Sequence, residues 1–305
     1  MRYVVTGAAG FIGSHLLRAL LDRGHDAVGW DSFTDYYDPA LKRANAEGLP
    51  VERLDLETDD LDLAGVDGVY HLAGQPGVSS FGAVFPLYVR RNVLASQRLF
   101  EAAAASGART VFASSSSIYG DAEAYPTPEE TRPRPLSPYG ITKLACEQLA
   151  VAYAREFGLE AVVVRYFTIF GPRQRPDMAL AKMIACAVEE RPFELHGGGG
   201  QSRSFTYVED AVEATILAME RGAAGAVFNV GGGEEVSMLE TIEILEQVSR
   251  RALEVVPGPR REGDQARTAA DTSRIRRELG WEPKTRFADG LEAQWRWAAD
   301  RVAAR

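Results

Sequence analysis

The chain has 305 residues, 46% of them hydrophobic and 25% charged, with a formal net charge of −9 at pH 7. That is enough apolar material for one large α/β domain or two small ones, and it excludes a disulfide mini-protein and a chain that stays unfolded. The acidic balance argues against a broad nucleic-acid face, and no apolar run approaches the roughly 18 residues of a membrane span.

Short β-rich runs at Tyr3 to Thr6, Ala27 to Trp30, Val51 to Leu54, Val69 to Leu72, Thr110 to Ala113 and Ala161 to Tyr166 read as buried strands. Between most of them lie helical patterns, Phe11 to Arg23, Leu87 to Ser106 and Pro138 to Phe157, each stopped by a glycine. This alternation implies right-handed crossovers and a doubly wound, Rossmann-like α/β sheet covered on both faces. Beyond Phe170 the texture changes to Pro and Gly punctuation. Ser237 with Glu240 reads as a capping box opening a helix to about Arg250, and further helices are expected near Ser273 to Leu279 and Asp289 to Val302. Residues 1–170 are therefore expected to form a dinucleotide-binding domain, with 205–232 returning to it as a helix and a strand. Residues 171–204 and 233–305 are expected to form a smaller α/β domain for substrate. Cys146 and Cys186 give neither metal spacing nor a disulfide framework. With a glycine-rich strand-turn-helix starting inside the first ten residues, the expected location is the cytoplasm.

The first strand runs into Thr6-Gly7-Ala8-Ala9-Gly10-Phe11-Ile12-Gly13. Small residues there let the backbone approach a pyrophosphate, and the helix start offers free N–H groups to it. Asp31, at the end of the second strand, suits both ribose hydroxyls of an adenosine and repels a 2′-phosphate, which favours NAD over NADP. Arg43 keeps NADP open. Asp55, just past the third strand, suits the adenine amine or a simple turn.

Tyr139 and Lys143, at i and i+4, open a helix pattern and share a face. With eleven tyrosines and four lysines in the chain, about 0.14 such pairs are expected by chance, so the pair is read as functional. An ammonium beside a phenol favours a phenolate, which makes Tyr139 a candidate general base for an alcohol proton; a surface tyrosine over a lysine stem is the alternative. The hydroxyls of Ser114 to Ser117, after the fifth strand, offer donors to a sugar oxygen or form a polar loop.

TGAAGFIG, DSFTDYYDPALKRAN, HLAG, SSSSIYG, YGITK, RYFTIFGPRQRPDMA, SRSFTYVEDAV and GDQARTAADTSRIRRELGW together resemble the extended short-chain dehydrogenase/reductase family, in particular its nucleotide-sugar epimerases. The resemblance covers nearly the whole chain. It implies Ser115 as the catalytic hydroxyl, Tyr139 as the base and Lys143 as its partner and a ligand of the nicotinamide ribose. Leu56, Leu72 and Tyr166 complete the expected cofactor set with Gly7, Gly10, Phe11, Ile12, Gly13, Asp31 and Asp55. It also implies a homodimer through a bundle of the Leu87 to Ser106 and Pro138 to Phe157 helices.

Related dehydratases carry Asp and Glu directly after the catalytic Ser/Thr, and related decarboxylases a Glu one residue further on; here Ser116 and Ser117 stand at those positions. Without a carboxyl acid, reversible oxidation at C4 remains, which is 4-epimerisation. DYYDPALKRAN and GPRQRPDMA are similar to the UDP-glucuronic acid 4-epimerases. Ser116, Ser117, Thr168 and Arg175 are then the expected hold on the sugar carboxylate, Arg175 alternatively serving a surface ion pair or a domain contact. Arg203, and Arg261 before Gly263-Asp264, match positions that grip a UDP diphosphate, and Phe193 a uracil-binding position or a core phenylalanine. Gly74 and Pro76, Ser79 and Ser204 depart from the family pattern. The rival expectations are a UDP-glucose/UDP-galactose 4-epimerase and an NAD-binding sensor without catalysis, which would have no use for the Tyr139 and Lys143 pair.

Overall fold

The computed structural model describes residues 1–77, 82–259 and 265–303. In chain order β1 (Arg2–Thr6), α1 (Phe11–Asp22), β2 (Asp26–Asp31), α2 (Pro39–Ala46), β3 (Val51–Arg53) and β4 (Gly68–His71) come first. A short α3 (Phe85–Tyr88) passes through a π-helical turn (Val89–Leu94) into α4 (Ala95–Ser106), followed by β5 (Arg109–Ser115), α5 (Pro138–Phe157), β6 (Ala161–Tyr166), β7 (Thr168–Phe170) and α6 (Ala179–Val188). Then come β8 (Phe193–His196), β9 (Ser202–Tyr207), α7 (Val208–Arg221), β10 (Val227–Val230), β11 (Glu235–Ser237) and α8 (Met238–Ser249). The chain finishes with β12 (Val255–Gly258), β13 (Arg267–Thr268), α9 (Ser273–Leu279) and α10 (Phe287–Ala303).

Seven strands form one parallel sheet in the order β10-β6-β5-β4-β1-β2-β3. The central strands are buried on both faces, as a sheet flanked by crossover helices requires. Alternate side chains feed two cores. Val5, Tyr70, Val111 and Val162 pack with Leu16, Leu17 and Leu20 of α1 and Ile216 of α7. Val4, Val69, Phe112 and Val163 pack with Leu99, Phe100 and Ala103 of α4 and Cys146 and Ala150 of α5. Strand order reverses beside β1, whose neighbours are β2 and β4, and the carboxyl ends at such a reversal form the crevice in which open α/β sheets bind ligands. A smaller sheet has β9 pairing with β7, β11 and β13, and β12 pairs with β8. Among the described residues no helix is long and apolar enough to cross a membrane.

Several boundaries differ from the sequence expectation for local reasons. Strand β5 continues through Ser115, so the serine run is split between strand and a 3-10 turn (Ser116–Ile118) instead of following the strand. Helix α2 has little apolar periodicity and was not expected; Pro39 opens it, and Asp38 caps it by accepting from the Ala40 N–H at 2.8 Å. The expected helix from Leu87 begins at Phe85 and carries the π-helical turn. The capping box is present: Ser237 Oγ accepts from Glu240 N at 3.2 Å, and Glu240 Oε2 accepts from Ser237 N at 2.8 Å.

His71, fully buried at the end of β4, has its ring nitrogens 2.8 Å from Thr6 Oγ1 and 2.8 Å from Ser96 Oγ. Burial above all, then the charge of Lys143, pushes its pKa down to about 3, so the folded protein holds it neutral. An unfolded histidine titrates near pH 6.5, so this stabilisation is complete above that pH and is lost as pH falls toward 3. Urea unfolding should show a fall of about 2 kcal/mol from His71 between neutrality and about pH 5. His71→Gln should remove that much of the decline; an unchanged decline would contradict the assignment.

Candidate active site

The turn between β1 and α1 is built for close approach. Gly7 has φ +71°, and a Cβ there would lie 2.9 Å from the Ala73 backbone nitrogen; a Cβ on Gly13 would lie 2.2 Å from the Gly7 carbonyl oxygen. Gly10, the N-cap of α1, makes no side-chain cap, so the first-turn N–H groups are left for an anion. Asp31 closes the next strand, buried, its Oδ2 accepting from Ala9 N at 3.1 Å and its Oδ1 from Phe33 N at 2.8 Å. Its carboxylate is therefore fixed against the glycine turn. The nearby cation is not Arg43, which is exposed, but buried Lys42, whose Nζ is 3.7 Å from Asp31 Oδ1 and donates to Thr34 Oγ1 at 3.0 Å.

These groups open onto one cleft at the carboxyl ends of β1 to β6. All the expected cofactor residues line it: the glycine turn with Phe11 and Ile12, then Asp31, Asp55 and Leu56 on the β2 and β3 side, and Leu72, Tyr139, Lys143 and Tyr166 on the other. Bare backbone, an uncapped helix start and a fixed carboxylate fit a dinucleotide. Asp55 Oδ1 accepts from Glu57 N at 2.9 Å, so it also shapes its own turn. Lys143 is buried, donates to the Ala113 carbonyl at 2.7 Å, and stands 4.8 Å from the Phe112 ring centroid and 5.9 Å from that of Tyr139. The half-buried Tyr139 thus faces the cleft beside a fixed positive charge.

The expected sugar-binding set is split. Arg175 lines the cleft but forks onto Asp177, Nε to Oδ1 at 3.0 Å and Nη2 to Oδ2 at 3.1 Å, so it is not a free cation. Asp177, pulled below its ordinary range by Arg175 against the effect of burial, also accepts from Tyr36 Oη at 3.2 Å. Ser115, Ser116, Ser117 and Thr168 adjoin the cleft in sequence, but the residue of the serine run that lines it is Ser114. Ser115 Oγ accepts from Ser117 N at 3.2 Å and donates to Ser117 Oγ at 3.2 Å. Phe193, on β8, packs in the main core, and Arg203 gives its Nη1 to the Ser202 carbonyl at 2.7 Å and its Nη2 to that of Gln265 at 2.6 Å. Arg261, Asp264 and Ser79 lie outside the described residues.

Sequence reasoning missed Lys42, Gln75, Arg91 and Asn92. Asn92, buried in the π-helical turn, accepts from Gln75 N at 2.6 Å and donates to Thr142 Oγ1 at 2.9 Å, so it ties the loop after β4 to the residue before Lys143. A polar residue inside a helix pattern gave no sign of this. Lys42 lay within a quoted run but carried no spacing signal. At Gly74, a Cβ would sit 2.9 Å from Asn92 Oδ1 and 3.5 Å from Lys143 Nζ, so this departure leaves that contact unstrained.

Residues 3–231 match the NAD dependent epimerase/dehydratase family. The chain belongs to this family. A Bacillus subtilis (strain 168) protein named as an uncharacterised UDP-glucose epimerase is 41% identical over 303 residues, covering 95% of this chain and 96% of the relative. The UDP-glucuronate 4-epimerase of Thermodesulfobacterium geofontis is 33% identical over 314 residues, covering 98% and 97%. Among solved structures, the UDP-glucuronic acid 4-epimerase of Bacillus cereus in complex with UDP-glucuronic acid and NAD superposes with a TM-score of 0.95 at 38% identity, covering 99% of this chain and 100% of that one.

Gly13→Ala tests the cofactor end directly. The added methyl has to displace the Gly7 carbonyl, so the purified variant should retain little or no NAD; wild-type NAD content after extraction would contradict the geometry.

Proposed function

We propose that this protein interconverts UDP-glucuronic acid and UDP-galacturonic acid by 4-epimerisation with bound NAD. The observation that carries this reading is the meeting of Tyr139, Lys143 and Arg175 with the glycine turn and Asp31 in one cleft. NAD, when bound, supplies a reversible hydride acceptor for C4 of the sugar. Tyr139 Oη takes the proton of the 4-hydroxyl and returns it, while Lys143 holds positive charge beneath the ring and Ser115 hydrogen-bonds the same oxygen. Between the two half-reactions the 4-keto sugar turns about its bond to the diphosphate and presents its other face.

The chemistry avoided matters as much. Among the described residues lining the cleft the carboxylates are Asp31, Asp55 and Glu57, all on the β2 and β3 side. At the positions where related dehydratases carry carboxyl acids this chain has Ser116 and Ser117, whose hydroxyls cannot drive water loss. A 4-keto uronic acid is a β-keto acid prone to lose CO2, so its carboxylate has to stay charged and oriented; Arg175, Thr168, Ser116 and Ser117 take that role. Phe193, Arg203, Arg261 and Asp264 serve the UDP. One observation favours a second reading, a UDP-glucose/UDP-galactose 4-epimerase: Asp177 already neutralises Arg175. Offering the two substrates separately and resolving the products decides between them.

We further place the protein in the cytoplasm, where its two buried free cysteines remain reduced, and as a homodimer. Helix α5 buries one face on the sheet yet leaves Ile141, Val151 and Phe157 exposed on the others, and Leu94 is exposed just before α4. Two copies of this helix pair form a four-helix bundle. Light scattering at micromolar concentration should return a dimer mass, and a monomer mass would refute it.

Tyr139→Phe should abolish turnover while leaving folding and NAD content near wild type. Near-normal turnover would remove Tyr139 as the base. Arg175→Ala should lower kcat/KM for UDP-glucuronic acid by about tenfold to a hundredfold, the worth of a charge-assisted hydrogen bond, and affect UDP-glucose much less. Because that change leaves the Asp177 carboxylate facing the substrate, Arg175→Ala/Asp177→Ala should be the less impaired on the acid. Equal losses on both substrates would assign Arg175 to the diphosphate.

A further inference from the structure

Helix α5 carries a third polar residue in register with Tyr139 and Lys143. Glu147, one turn beyond the lysine, is 4% exposed and Arg165 of β6 is 7% exposed. They form a buried fork, Arg165 Nε to Glu147 Oε1 at 3.0 Å and Nη2 to Oε2 at 2.7 Å. Ser114 Oγ also donates to Glu147 Oε1. The remaining guanidinium nitrogen, Arg165 Nη1, donates to Tyr119 Oη at 2.8 Å and to the Glu129 carbonyl at 2.9 Å. Tyr119 Oη in turn donates to Asn229 Oδ1 of β10 at 2.8 Å.

Both carboxylate oxygens and all three guanidinium nitrogens therefore have partners. Burying two charges is nonetheless costly, and apolar side chains of similar volume are often as stable or more so. Stability gives no reason for an ion pair here; placement does. Ser114 and Tyr119 flank the turn that carries Ser115, Ser116 and Ser117. The anion of the pair holds the residue before that turn, and the cation holds the residue after it. The anion belongs to the helix that carries Tyr139 and Lys143.

We infer that the Glu147–Arg165 pair is a positioning element for the reaction, clamping both ends of the serine turn to the helix that bears Tyr139. The inference rests on the assignment of Ser115 and Tyr139 to the chemistry. It predicts that loosening either end displaces Ser115 from Tyr139 while the binding of the nucleotide, made elsewhere, persists. Misplacement on the scale of 1 Å costs on the order of a hundredfold in rate.

The test uses the full-length protein and UDP-glucuronic acid. Ser114→Ala and Tyr119→Phe each cut one end of the clamp without touching the ion pair. Each should fold with a near wild-type melting temperature and lose about tenfold in kcat with KM changed by less than about twofold, and S114A/Y119F should lose about a hundredfold. Ser114→Thr, which keeps the hydroxyl, should restore most of the rate. E147M/R165M should fold and show the same hundredfold loss; should it fail to fold, S114A/Y119F decides. A folded S114A/Y119F or E147M/R165M with kcat within about twofold of wild type overturns the inference, as does a loss confined to KM. With Tyr139→Phe run alongside, an active Tyr139→Phe overturns the site assignment and the inference with it. An inactive Tyr139→Phe beside a fully active S114A/Y119F overturns the clamp alone.

Discussion

A buried ammonium needs partners, and the one on Lys143 sets the terms for everything around it. It is satisfied by the Ala113 carbonyl at the end of β5 and by the face of the Phe112 ring, which fixes where α5 crosses the sheet edge. Because Tyr139 lies one turn earlier on that helix, fixing the lysine fixes the phenol relative to the glycine turn. The same charge reaches into the core, where it adds to burial in keeping His71 neutral and works against burial at the Cys146 thiol. One cation thus fixes the position of a helix and the polarity of one end of the cleft, and reinforces what burial does to the protonation of a histidine.

Around that point the strands supply a second kind of order. A β-strand alternates its side chains between two faces, so Ser114 and Ser115 turn opposite ways as β5 ends. One goes to Glu147 and the other to the 3-10 turn. Register carries this across the sheet: Ser114 lies opposite Arg165, and Ser115 opposite Tyr166. The polar network is therefore threaded through neighbouring rungs of the ladder and gains its rigidity from them. It extends to β10 through Asn229, which also donates to the Thr127 carbonyl at 2.9 Å, and so reaches the segment between the serine turn and α5.

What could be read from the sequence was what is local. The glycine turn is legible because three small residues at fixed spacing have one steric use between a strand and a helix, and Tyr139 with Lys143 because helical spacing fixes their common face. The same holds for α4 and α5, whose glycine stops mark their ends. What could not be read depends on how side chains pair and pack once the chain has folded. The sequence leaves Arg175 open between a hold on the sugar carboxylate and an ion pair, and only the fold shows its fork closed on Asp177. Lys42 looks no different from Arg43 until the turn of α2 buries one and exposes the other. Glu147 and Arg165, eighteen residues apart, carry no mark of their pairing. The serine run reads as following the fifth strand, as donors to a sugar or as a polar loop, because hydroxyls favour turns, yet its first two members are buried in β5.

Because β10 reaches the sheet only after β7, β8 and β9 have been laid down elsewhere, the seven-stranded sheet is not a detachable N-terminal cassette. A polypeptide ending at Phe170 would contain the glycine turn, Asp31, Tyr139 and Lys143, yet β6 would be an edge with a row of unpaired N–H and C=O groups. The apolar side chains that α7 covers would lie bare beside it. Such an edge is a template for pairing with another copy. On the ribosome the same condition holds for a time: the nascent chain cannot close its sheet until synthesis has passed Val230, and until then its most apolar strand stands at the rim.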